Sequence, residues 1–278
     1  MRDLRAVAAA LIGLALTATA CHSTAKAPAP GPTTSTTTPA STKPASTKPA
    51  STTPPTATHT TGVKTVGPLF ARGLTPHFCT ASVVHSPGRD LLITAAHCVS
   101  GTGGTLTFAP DYHDGASPNG TWVVVRAYAD ARWRTKHDPL HDVAFLQVAK
   151  QIKGAKLVGV EDVVGANLLG TAPAKGITVT VTGYVLGSHD EAITCVPTVY
   201  YTNGWPSFDC AGFADGTSGS PWLQAGRVDA LIGGLHQGGC TPDTSYSAPF
   251  GADVTALYQR ASAAGTGDVL TPPPSDGC

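Results

Sequence analysis

Three residues with the chemistry for nucleophilic catalysis stand far apart in the sequence. His97 follows an apolar run and precedes a cysteine, Asp142 opens a second apolar run, and Ser218 stands between two glycine-containing turns. Hydrolysis by a serine needs a base for the hydroxyl proton, a carboxylate that orients the base, and N–H donors for the developing oxyanion. We therefore predict that these three side chains meet in one catalytic site.

The local sequence around each residue favours that geometry. Two alanines before His97 let the backbone turn tightly, and Cys98 can anchor the turn covalently. A buried charge is costly unless it is hydrogen-bonded, so Asp142 at the start of an apolar strand needs donors around it. The glycines near Ser218 permit a turn that exposes its hydroxyl. We expect the N–H groups of Gly216 and Ser218 to form the oxyanion hole.

The same segments resemble the motifs of the chymotrypsin/trypsin-like serine proteases, in particular the bacterial secreted members. The matching sequences are Thr-Ala-Ala-His-Cys at 94–98, Asp-Val-Ala-Phe-Leu at 142–146 and Gly-Thr-Ser-Gly-Ser-Pro at 216–221. The last is similar to the variant in glutamyl endopeptidases. The order His, Asp, Ser differs from that of α/β-hydrolases and subtilisins. The resemblance implies a serine endopeptidase that cleaves protein or peptide substrates through an acyl-enzyme, without a cofactor.

A competing interpretation is a protease-like surface protein that binds a partner and does not cleave it. A complete triad argues against this alternative. The formal net charge is zero and charged residues make up 13% of the chain, with no basic stripe. We therefore expect no nucleic-acid partner, and a monomer. His137 and His141 have a spacing that binds metal on a helix, but Pro139 between them disfavours a helix, so we predict no metal site.

Residues 62–278 have the composition of a β-rich domain. Short apolar or alternating runs, rich in Val and Thr, recur between turn residues. Around residues 253–263 the apolar residues follow helical spacing, which predicts one C-terminal amphipathic helix. The expected fold is all-β: two packed Greek-key β-barrels, about 63–150 and 155–262, followed by that helix. The resemblance implies that this is the chymotrypsin-like arrangement.

The N-terminal sixty residues have another character. Residues 1–20 combine two arginines with an apolar run too short to span a bilayer, which predicts a signal peptide. Cys21 follows small residues as in a bacterial lipobox, so lipidation at Cys21 would anchor the chain to the membrane. The alternative is an ordinary signal peptide and free secretion. Residues 21–61 are rich in Ser, Thr and Pro and predict a disordered stalk.

Without Cys21, six cysteines remain, an even set suited to disulfides in an oxidising compartment. The family resemblance implies a bridge at the histidine turn. The expected pairs are Cys79–Cys98, Cys195–Cys210 and Cys240–Cys278. A Cys210–Cys240 pair, nearer the family's bridge across the specificity pocket, stays open as an alternative.

The resemblance is less informative about specificity. Gly212 aligns with the pocket aspartate of trypsin, so selectivity for arginine or lysine is not expected. Residues 233–238 resemble the pocket-wall strand of glutamyl endopeptidases, in which a histidine touches the substrate carboxylate. His236 is therefore a candidate for selecting acidic residues, although it could be a wall residue without selectivity. Asp215 at the pocket rim would repel an acidic side chain.

One departure from the family concerns activation. Zymogen-activated members have an aspartate before the catalytic serine, which pairs with a newly cut N-terminus. Here that position is Thr217, and the sequence near Val66 lacks the usual new terminus. We therefore hypothesise that the oxyanion turn forms without N-terminal cleavage.

Overall fold

The computed structural model describes residues 53–72, 76–187, 191–275 and 278. The predicted signal peptide, Cys21 and the stalk up to residue 52 lie outside the described residues. The predicted β-rich architecture with a C-terminal helix is confirmed. In chain order the strands are β1 (Thr58–Thr60), β2 (Val66–Ala71), β3 (Cys79–Val84), β4 (Leu91–Thr94), β5 (Leu106–Phe108), β6 (Trp122–Ala129), β7 (Ala144–Val148), β8 (Gln151–Lys153), β9 (Lys156–Val158), β10 (Leu168–Leu169), β11 (Thr180–Gly183), β12 (Ala192–Cys195), β13 (Tyr200–Thr202), β14 (Trp205–Asp209), β15 (Pro221–Gln224), β16 (Arg227–Leu231) and β17 (Thr244–Tyr246).

Helical segments are few and mostly short. None of the helices in the described part of the chain has the length and apolar character needed to span a membrane. The α-helices are α1 (Ala131–Lys136), α2 (Val160–Val164) and α3 (Ala252–Ser262). Single 3₁₀ turns cover Ala96–Cys98, Pro139–His141 and Leu235–Gly238.

The first half forms a closed antiparallel barrel in the order β2-β3-β4-β7-β6-β5. Thr94 at the end of β4 lies opposite Ala144 at the start of β7. Because the pair is antiparallel, the residues just after β4 and just before β7 must also be neighbours. His97 and Asp142 occupy those two positions, so the barrel register alone brings them together.

The second half combines two sheets around a separate apolar core. A six-stranded sheet has the order β1-β12-β11-β15-β16-β10, and a three-stranded sheet has the order β13-β14-β17. A bridge between Thr178 and Thr198 extends the strand pairing beyond these two sheets. The core contains fully or nearly fully buried side chains from both sheets, including Val181, Phe208 and Trp222.

The boundary predicted at residue 61 between stalk and domain is wrong, because residues 53–61 belong to the folded part. Strand β1 pairs with β12, with Thr58 opposite Thr194. A parallel bridge joins Thr56 to Ala211. Threonine is β-branched and favours strands when a sheet edge is free to pair with it, although its abundance in a low-complexity run predicted disorder.

The C-terminal helix and the disulfides complete the domain. Helix α3 buries Val254, Leu257 and Ala261, the apolar face expected from their spacing, against β6 and β7. The structure contains the pairs Cys79–Cys98, Cys195–Cys210 and Cys240–Cys278. The alternative Cys210–Cys240 pair is absent, since both sulfurs have other partners.

Candidate active site

A buried histidine–aspartate pair lies at the end of the first barrel. The 3₁₀ turn after β4 carries His97, and Asp142 directly precedes Val143 and β7. His97 Nδ1 lies 2.7 Å from Asp142 Oδ2. A carboxylate only accepts hydrogen bonds, so Nδ1 carries the proton and donates it. In the neutral imidazole of this tautomer, Nε2 has no proton and can accept one.

The carboxylate of Asp142 is fully buried and receives several donors. The His97 backbone N–H donates to Oδ1 at 2.9 Å, and the Gly234 N–H donates to Oδ2 at 2.8 Å. With the imidazole N–H, these bonds compensate the loss of hydration. A Cβ at the adjacent Gly233 would lie 3.1 Å from Asp142 Oδ2. The sequence resemblance placed this Gly-Gly pair in a pocket wall, and its contact with Asp142 was not predicted.

Ser218 lies in the loop between β14 and β15 of the second half and lines the same open cleft as His97. Its carbonyl accepts a hydrogen bond from Thr80 N at 2.8 Å, and Gly219 N donates to Ile232 O at 2.7 Å. No hydrogen bond in the described part of the chain joins the Ser218 hydroxyl to His97. In free catalytic sites such bonds are often long and tighten when substrate binds.

The turn before Ser218 contains the two N–H groups predicted to form an oxyanion hole. Gly216 has φ +93°, and a Cβ there would lie 2.3 Å from Leu186 N, so only glycine fits. Among the described residues, no backbone carbonyl accepts from the N–H of Gly216 or of Ser218. Thr217 between them is buried, and its Oγ1 donates to Ala214 O at 2.7 Å. Two donors therefore stay available for an oxyanion.

Thr80 of β3 connects the first barrel to this turn. Its Oγ1 donates to Gly216 O at 3.1 Å and accepts from Tyr184 N at 3.0 Å. Tyr184 is fully buried, and burial raises the pKa of its phenol far above the usual value. Thr80 was not among the predicted site residues. Its position directly after Cys79, which was expected to bond to the histidine turn, is the feature of the sequence that places it near the site.

The cleft has a volume of about 810 Å³ and includes two of the predicted pocket residues, Asp215 and His236. Gly212 does not line it. Gly212 N donates to Pro242 O, and the nearest side chain to its Cβ position is that of Ala57, at 3.4 Å. Gly212 therefore lies outside this lining, and its place at the pocket base stays a prediction. Ala211 of the same loop pairs with the N-terminal segment, whereas Phe213 and Ala214 line the cleft.

The predicted pocket-wall strand at 233–238 is also wrong. Strand β16 ends at Leu231, and a 3₁₀ turn follows in which His236 and Gln237 have left-handed φ angles of 50° and 49°. Gly234 and Gly238, with φ of +80° and +113°, break the extended conformation on both sides. His236 is exposed and lines the cleft, as expected of a pocket residue.

The two histidines considered as metal ligands have separate partners. His137 Nε2 lies 3.1 Å from Thr271 O. His141 is buried, with Nε2 accepting from Arg132 Nη1 at 3.1 Å and Nδ1 3.1 Å from Asp253 Oδ2. Each ring therefore has a protein partner, and the rings do not share one.

Comparison with known proteins defines the class. The family model of the trypsin-like peptidase domain matches residues 79–231. The chain belongs to this family, and the chymotrypsin-like fold predicted from the motifs is confirmed. No curated relative matches the chain. Membership of the family supports serine protease activity.

Several solved structures share the fold. The protease Anisep from Arthrobacter nicotinovorans is 24% identical, with a TM-score of 0.62 over 74% of this chain and 98% of that one. A thermostable serine protease, AL20, from an extremophilic microorganism is 25% identical, with a TM-score of 0.61 over 73% and 98%. A Glu endopeptidase is 16% identical, with a TM-score of 0.57 over 75% and 97%. Human heparin-binding protein also matches, at 15% identity and a TM-score of 0.57 over 78% and 98%.

Proposed function

We propose that the chain is a serine endopeptidase with His97, Asp142 and Ser218 as its triad. One observation carries the proposal: a buried carboxylate fixes an imidazole, at 2.7 Å, in the tautomer that leaves Nε2 unprotonated, in the cleft that also holds Ser218. A structural histidine needs only a hydrogen-bond partner. It needs neither an Nε2 available as a base nor a serine hydroxyl in the same cleft.

In the proposed mechanism, Ser218 Oγ attacks the scissile carbonyl carbon while His97 Nε2 takes the hydroxyl proton. Asp142 stabilises the imidazolium that forms, and the N–H groups of Gly216 and Ser218 hold the negative oxygen. His97 then gives its proton to the leaving amine as the C–N bond breaks, which leaves an acyl-enzyme on Ser218. A water molecule, deprotonated by His97, hydrolyses the ester and restores the hydroxyl.

A fluorophosphonate probe tests the proposal, because it reacts only with an activated serine. We expect stoichiometric labelling of the wild-type chain and none of Ser218→Ala, whose turnover should fall on the order of 10⁶-fold. Ser220→Ala is a matched control, since this neighbouring hydroxyl is buried and without a hydrogen-bond partner among the described residues. Labelling that survives in Ser218→Ala would refute the assigned nucleophile.

The alternative function is a protease-like binding protein without activity. The likeness to human heparin-binding protein shows that this fold is also used by a protein named for binding. The alternative predicts no probe labelling of the wild-type chain, so the same experiment separates the two.

Substrate preference and location extend the proposal. His236 and Asp215 both line the cleft, so a substrate side chain there meets an imidazole that attracts acidic groups and a carboxylate that repels them. A peptide-library cleavage profile of His236→Ala decides whether acidic residues are selected. The disulfides suit an oxidising compartment outside the cytoplasm. We propose export by residues 1–20, with anchoring through Cys21 or free secretion.

A further inference from the structure

We propose that the segment after α3 is a covalent strap that narrows the substrate cleft and limits cleavage to extended, unfolded chains. We call residues 263–275 together with Cys278 the C-terminal strap. This inference rests on the proposed function, because it concerns what reaches the same site.

The strap is first fixed to the barrel that carries His97. Asp268 accepts hydrogen bonds from Arg260 Nη2 at 2.6 Å and from Ala129 N at 3.0 Å. Two residues later, the N–H and carbonyl of Leu270 bond reciprocally with those of Gly101, both at 2.8 Å. Leu270 is 2% exposed, so its side chain is part of the core. Leu270 thus forms a single antiparallel bridge with Gly101, and its side chain anchors the strap in the core.

The strap then attaches to the other side of the cleft. Gln237 Nε2 donates to Pro274 O at 3.5 Å, a weak contact, and the disulfide between Cys240 and Cys278 adds a covalent one. Ser275 and Cys278 line the cleft together with His97 and Ser218. The strap therefore contacts both the barrel that carries His97 and the cleft wall, by which we mean residues 236–242 after β16.

The strap also restrains that wall. The ring nitrogen of His236 and the sulfurs of Cys240 and Cys278 all lie within 4.8 Å of one another. His236 and Gln237 have left-handed backbones, a conformation that costs on the order of 1 kcal/mol or more for residues other than glycine and persists only when the surroundings enforce it. The disulfide and the Gln237–Pro274 contact supply restraints at these positions.

These restraints imply a selection by shape. A single extended peptide chain has a small cross-section and can follow a bordered cleft. A loop on a folded protein brings bulky neighbours, which would collide with the strap and the wall. We therefore expect the native enzyme to cleave unfolded chains and short peptides much faster than folded proteins.

The double variant Cys240→Ser/Cys278→Ser tests the inference by releasing the strap. Each protein is assayed on a short chromogenic peptide and on one protein substrate in its folded and its unfolded, alkylated forms. We expect the folded-to-unfolded ratio of kcat/KM to rise about 10-fold, and the peptide assay shows that the variant is still active. An unchanged ratio in an otherwise active variant would overturn the strap's role.

A second measurement does not depend on the variant folding. Cys240 and Cys278 are both exposed, whereas the other four disulfide cysteines are buried, so mild reduction and alkylation of the wild-type protein should open this bridge first. Mass spectrometry verifies which cysteines are alkylated, and protein treated with alkylating agent alone is the control. The same rise in the folded-to-unfolded ratio is expected after selective opening, and no rise would contradict the inference.

Fluorophosphonate labelling separates the two levels of the argument. If wild-type and released protein label equally and their ratios are equal, the strap inference fails and the endopeptidase stands. If the wild-type chain does not label at all, the proposed function itself fails, and the strap inference fails with it.

Discussion

At the residue scale, the site depends on the hydrogen-bond donors that surround one buried carboxylate, that of Asp142. Asp142 accepts from His97 N, His97 Nδ1 and Gly234 N. All three partners are donors, which matches a group that only accepts. The bond to Nδ1 fixes the position and the tautomer of the imidazole. Together the three bonds also compensate the cost of burying the carboxylate charge.

Asp142→Asn should therefore lower kcat about 10⁴-fold with little change in structure, the magnitude known for this change in a protease of this class. The NH₂ group of the new asparagine cannot accept a hydrogen bond. If it faces His97 Nδ1, the imidazole must move its proton to Nε2, which is the wrong tautomer for a base; if it faces the other way, it meets a backbone N–H donor. Steady-state kinetics on a peptide amide measure the effect. Asp138→Asn is the matched control, because Asp138 is a partly exposed cap of the Pro139–His141 turn, and asparagine caps equally well. Near-normal kcat in Asp142→Asn would contradict the role.

At the scale of elements, the turn that we propose as the oxyanion hole needs a backbone at Gly216 that favours glycine. Gly216→Ala would place a Cβ 2.3 Å from Leu186 N and 2.7 Å from Tyr184 O, both backbone atoms that cannot move alone. We expect activity to fall at least 100-fold as the donors are displaced. Gly226→Ala is the control, with a similar φ of +76° and nothing within 4 Å, so it should cost only about 1 kcal/mol of stability. Circular-dichroism melting and kinetics of both variants measure the difference, and equal activity would argue against the turn as an oxyanion hole.

Sequence patterns predicted the local parts of these elements better than the contacts between them. The positions of the His97, Asp142 and Ser218 segments followed from short motifs, and the helix α3 from apolar spacing. The role of Thr80 and the bond from Gly234 to Asp142 were not predicted, because each involves a partner more than ninety residues away in sequence. Strand β1 was missed because a Thr-rich run has no apolar alternation, and its stability comes from pairing with β12.

At the scale of the molecule, hydrogen bonds join the first barrel to the loop of the second half that carries Gly216 and Ser218. Thr80 N and Oγ1 in the first barrel contact the backbone of Ser218 and Gly216 in the second half. The N-terminal segment pairs with β12 and with Ala211, so it also supports the second half.

The chain should therefore be active without cleavage near Val66. Val66 is fully buried in β2 opposite Ser82. At the position where zymogen-activated relatives have a carboxylate, this chain has Thr217, whose hydroxyl already donates to Ala214 O and cannot form an ion pair with a new ammonium. We expect the burst of an active-site titration with a nitrophenyl ester to equal the protein concentration while mass spectrometry shows residues 53–66 intact. Limited proteolysis that removes this segment should lower the burst, because it also removes β1 from its sheet. A burst that appears only after a cut beside Val66 would show that the oxyanion turn needs a free terminus after all.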